Sequence, residues 1–208
     1  MIRRRLPIAA CSVLACSVLA ATALPAAAIA DPGEAEVEVT VDITEIKEPG
    51  VLALTVAGTS VALQENGSDL LVRQFTGTLP TVTVTDTRTL EEIPAGSGWA
   101  VLGSSSDFTG TAGQAPISAG HLGWKPRLID GGDTGLVSEG EEVVTVLDDE
   151  TQPGNNVGLV DQELLVSTYD SAEVTGGAYT VNAGLNLRTP ADVAAGSYRA
   201  TLTLSLFE

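Results

Sequence analysis

The chain has 208 residues, ten basic and twenty-seven acidic side chains, a formal net charge of −17, and a single histidine. So acidic a surface repels nucleic acid and anionic lipid, which excludes both as partners. The only cysteines, Cys11 and Cys16, fall near the N-terminus, so cysteine-ligated zinc, iron–sulfur clusters and thiol catalysis are excluded from everything after them.

Residues 1–30 read as a secretory signal peptide. Arg3, Arg4 and Arg5 form the positive start, an apolar stretch runs from Leu6 to Ala28, and Ala28-Ile29-Ala30 supplies a small-x-small cleavage site before Asp31. A membrane span fits less well, because alanines and Pro25 dilute the stretch. A lipoprotein box, Val13-Leu14-Ala15-Cys16 with a lipidated Cys16, fits less well too, because the apolar run continues past the cysteine. Cleavage removes three arginines and no acid. Residues 31–208 then carry seven basic and twenty-seven acidic side chains, a net −20.

No part of residues 31–208 shows sustained helical periodicity. Short alternating runs recur between Gly, Pro, Asn and Asp, the pattern of an antiparallel two-sheet β-sandwich in a single domain. Residues 36–44 alternate strictly, with Val37, Val39, Val41 and Ile43 on one side, and are predicted to form a strand with one buried face. Residues 51–56 follow the turn Glu48-Pro49-Gly50, and Asn66-Gly67 marks a reversal. Val82 and Val84 alternate with threonines. Trp99 and Val101 share a face of the strand after Gly96-Ser97-Gly98. Further strands are expected at residues 143–147, 164–166 and 179–181, with Leu185 and Leu187 close behind. Residues 110–116, 126–142 and 148–158 read as loops.

The chain ends in an alternating run in which Tyr198, Ala200, Leu202, Leu204 and Leu206 share one face. Taken with Gly98-Trp99-Ala100-Val101 and Ser106-Asp107-Phe108, this run resembles the WxL domain, a secreted module of Gram-positive bacteria. That family pairs a Trp-x-Leu motif with a distal strand of the form Tyr-x-x-x-Leu-Thr-Trp-x-Leu. Here Val101 stands for the leucine of the first motif and Leu204 for the tryptophan of the second. The resemblance implies a protein on the cell surface, attached non-covalently to cell-wall peptidoglycan, often with a companion membrane-anchored surface protein. The candidate contact residues are Trp99, Val101, Trp124, Tyr198, Leu202 and Leu204.

Each candidate has a packing reading beside the binding one. Leu204 and Trp99 read more readily as core, since apolar alternation in a strand usually faces inward. Trp124, in the turn-like Leu122-Gly123-Trp124-Lys125-Pro126, is the indole expected at the surface. Nothing points to an enzyme or a cofactor. His121 has no second His or Cys to work with, Ser104-Ser105-Ser106 lacks a nucleophile elbow, and eight aromatic side chains line little of a sugar cleft. The acidic loops Asp130-Gly131-Gly132-Asp133 and Asp148-Asp149-Glu150 offer oxygen ligands for calcium, but match no calcium loop and read as solvated. An alternative function is a structural or adhesive subunit that binds another surface protein, through edge-strand pairing, with no glycan binding of its own.

Overall fold

The computed structural model describes residues 39–43, 48–174 and 176–208. Ile46–Glu208 is one compact unit, and Met1–Glu45 clusters separately. Within the larger unit the described residues form an all-β, sandwich-like fold in which every ladder is antiparallel.

The first sheet is organised by one long strand, β10 (Gly177–Pro190). Along one edge it pairs β4 (Val82–Asp86) and then β3 (Val72–Thr78), set end to end; along the other it pairs β7 (Leu122–Asp130). Outside β4 and β3 lie β1 (Leu52–Val56) and β2 (Gln64–Glu65). Residues 52–86 are thus one long, interrupted hairpin. It reverses beyond Asn66, where Gly67 takes φ +88, and Asp69 accepts the Leu71 and Val72 amides at 2.7 and 2.8 Å. Only glycine adopts that φ without strain.

The second sheet runs β12 (Leu202–Phe207), β5 (Trp99–Ser105), β9 (Glu163–Thr168), β8 (Val137–Glu139). A short ladder joins β11 (Tyr198–Arg199) to β6 (Thr109–Gly110). Period-two alternation decides what lies between the sheets. Tyr179, Val181, Ala183, Leu185 and Leu187 of β10 point in, with Val82 and Val84 of β4, Trp99 and Val101 of β5, and Leu165 and Val166 of β9 completing the core.

Several sequence expectations need correction. Residues 39–43 carry no strand, and Val39, Val41 and Ile43 are 87, 78 and 88% exposed, because alternation defines a face only where a neighbouring strand supplies a ladder. Residues 36–38 and 44 of that run lie outside the described residues. The strand expected at residues 143–147 is a single bridge from Val143 to Trp124, followed by a turn. Asp148 closes that turn by accepting from the Thr145 amide and hydroxyl. Residues 126–130 are not loop but the second half of β7. Pro126 pairs with Ala183 there, and an outer strand tolerates its missing N–H. The loop that follows contains β8. The terminal run is two strands, broken at Ala200-Thr201, although its alternation holds across the break.

Candidate functional site

Two segments about a hundred residues apart become neighbours in the second sheet. β12 lies hydrogen-bonded along β5, with Leu206 opposite Val101, Leu204 opposite Gly103 and Leu202 opposite Ser105. Trp99, at the start of β5, is 1% exposed and stacks obliquely on Tyr179 of the facing sheet, ring centroids 5.6 Å apart. Gly98 lets β5 start there, since a Cβ on it would stand 2.3 Å from the Thr168 carbonyl oxygen.

Trp124 meets β5 further along, at Gly103, from the other sheet. It is 1% exposed, so the expectation of a surface indole fails: the segment that reads as a turn is β7, and position 124 is on its inward parity opposite Leu185. Its ring fills the space over Gly103, where a Cβ would meet Trp124 Cη2 at 2.5 Å and Leu204 Cδ2 at 2.9 Å. Val101, Trp124 and Leu204 therefore belong to one packing cluster. Leu202 and Leu204 are half-buried, because among the described residues no strand pairs with the far side of β12. Tyr198 packs against the core from β11, opposite Gly110, with its hydroxyl donating to the Ala194 carbonyl at 2.7 Å. Neither indole N–H has a hydrogen-bond partner among the described residues.

Two ion clusters that sequence reasoning missed flank this core. Asp86, fully buried, accepts from Arg88 Nε at 2.9 Å and Nη2 at 2.8 Å, and Arg88 Nη1 reaches Glu208 at 2.5 Å. Hydrogen bonding to Asp86 holds the guanidinium even more firmly protonated than usual. The pair ties the end of β4 to the end of β12. Asp86 was legible in principle, since it shares the inward parity of Val82 and Val84.

The second cluster joins Arg188 of β10 to Asp148, which Thr145 also holds at 2.7 Å. Burial pushes Asp148 up, but the bonds from Thr145 and Arg188 outweigh it and hold the carboxyl below its ordinary range. His121 ends a 3-10 turn, Ala119–His121, with Nδ1 2.7 Å from the Arg188 carbonyl oxygen. Of the calcium candidates, Asp130 accepts from the Gly132 amide and Asp148 is engaged as above.

Away from the core, the outer face of the first sheet gathers cations. Lys125 and Arg127 of β7 are exposed, and pair in the ladder with Gly184 and Asn182 of β10; Arg188 lies further along the same parity. These are three of the seven basic residues after position 30. Lys125 bonds Glu142 at 3.1 Å, whereas Arg127 has no ion pair among the described residues. A Cβ on Gly184 would meet nothing within 4 Å, and the Asn182 side chain lies 9% exposed beside Arg127.

No family model, no curated protein and no solved structure matches this chain.

Proposed function

We propose that the chain is a secreted, non-enzymatic β-sandwich protein attached non-covalently to the bacterial cell wall, as its resemblance to the WxL domain implies. The observation that supports this reading is the pairing of β5 with β12. The two motif segments are far apart in sequence, yet Val101, Gly103, Leu204 and Leu206 meet in one ladder. Motifs that jointly specify one structural unit should converge in this way. The motif residues then build the module, and the wall contact falls to its surface.

The outer face of the first sheet is the surface best suited to that contact. Arg127, the one of its three cations without an ion pair among the described residues, can engage the carboxylates and phosphates of wall polymers, which the rest of so acidic a protein repels. Peptidoglycan and a companion membrane-anchored surface protein are the partners this reading names. Pelleting with purified, protein-free sacculi tests it. The secreted protein should co-sediment with sacculi, and Arg127→Glu should sharply weaken co-sedimentation without changing the melting temperature. A wild type that stays in the supernatant ends the wall reading and leaves the adhesive-subunit alternative.

A further inference from the structure

On one side of the sandwich the two sheets end close to each other without pairing. β1 is the last strand of the first sheet and β12 the last of the second, and among the described residues neither has a partner on its outer edge. Their inward side chains, Leu52 and Leu54 on β1 and Leu202, Leu204 and Leu206 on β12, all reach the core but are only partly buried. β12 has the sequence Leu-Thr-Leu-Ser-Leu-Phe, with no charge and no proline. Natural sheet edges are commonly protected by such residues, by bulges or by a covering element. β12 is in regular register with β5 throughout, without a bulge, and β1 approaches it without pairing.

The chain also carries a segment of complementary pattern that joins no ladder among the described residues. Val39, Val41 and Ile43 are nearly fully exposed and alternate with Thr40 and Asp42, so an extended backbone would project three branched aliphatic side chains on one side. Three half-buried leucines at the same spacing line β12. A strand laid along that edge would satisfy its outward N–H and C=O groups and cover both rows.

We propose that residues 39–43 of one copy add as a strand to the outer edge of β12 in a second copy. Donor and acceptor are different surfaces, so the contact is head-to-tail and propagates into a ring or a filament. The copies are strongly acidic, and their mutual repulsion weakens as salt screens it. Assembly should therefore strengthen with ionic strength, opposite to the behaviour of an ion-paired interface. This self-association is independent of wall binding.

Sedimentation velocity of the purified secreted protein tests the proposal. Oligomers should grow with protein concentration and with salt. Val41→Asp should weaken self-association at least about tenfold at an unchanged melting temperature, whereas Thr40→Asp, on the opposite side of the segment, should leave it intact. A peptide of residues 36–44 added to the Val41→Asp protein should slow hydrogen exchange at the amides of β12. The proposal is overturned if the wild type stays a single chain at high salt, if assembly survives Val41→Asp, or if the peptide protects β1 instead. A non-assembling wild type whose melting temperature drops on Val41→Asp assigns the segment to its own chain, which overturns the proposal as well.

Discussion

Trp124 on one sheet and Gly103 on the other fit together as a ring and the gap that receives it: a Cβ at position 103 would approach Trp124 Cη2 to 2.5 Å. Gly103 lies mid-strand, where glycine ordinarily costs stability, and close approach of another group is one of the reasons a strand keeps one. Gly103→Ala should destabilise the fold by roughly 1–3 kcal/mol through overpacking, although alanine is the better strand residue. Trp124→Ala should cost roughly 3–5 kcal/mol by opening a cavity. Urea unfolding measures both. A neutral Gly103→Ala would mean the indole moves aside easily.

Leu204→Asp should damage the fold more than Thr203→Asp, its neighbour on the outward parity. Leu204 touches the core from an edge strand and is half-buried, so the penalty is that of a partly solvated charge, roughly 1–3 kcal/mol and not a full interior cost. Thermal unfolding of the two variants gives the comparison. Equal losses would contradict the register of β12.

Arg88→Met should be among the most destabilising surface-to-core changes in the molecule. It leaves the fully buried Asp86 carboxylate without its two guanidinium bonds, at roughly 3–5 kcal/mol. The double variant Asp86→Asn with Arg88→Met should recover much of that loss, because no charge is then stranded. Glu208→Gln should be mild, since that carboxylate is partly exposed.

Acid should remove a specific stabilisation at Asp148. Its folded-state pKa lies below the ordinary 3.8, so the ionised form is favoured by folding. That contribution is complete above the unfolded value and disappears as pH falls through the depressed folded one. The stability difference between wild type and Asp148→Asn should therefore be flat above about pH 5 and shrink steadily toward pH 2. Arg188→Ala should flatten the low-pH part of the curve, because it removes one of the bonds that depress the pKa.

Much of the sandwich can be read from alternation alone. Val82, Val84, Trp99, Val101, Leu185 and Leu187 all face inward as their parity requires. The failures share a cause: local pattern does not say whether a partner strand exists. Residues 39–43 have the pattern without a ladder, and residues 143–147 have it but yield to the turn closed by Asp148. Trp124 is the converse. Its glycine and proline neighbours resemble a turn, yet an outer strand accommodates both, and the exposure of the indole was misjudged with it. The ion clusters were hidden for another reason. Arg88 meets Glu208 and Arg188 meets Asp148 only after distant strands have assembled.

The ladder between β5 and β12 also constrains the order of events during synthesis. The second sheet closes only when residues 202–207 are available, and β10, the organiser of the first sheet, appears only at residue 177. At ribosomal rates, about 5–20 s separate the emergence of Val101 from that of its partner Leu206. Until then the apolar runs around Trp99 and Val82 have no complete sheet to join, and both edges of β5 wait for later strands. Contacts of such long sequence separation fold slowly, because loop closure must precede any gain in pairing. A late closing step is thus written into the strand order: residues 202–207 act as the latch of the second sheet.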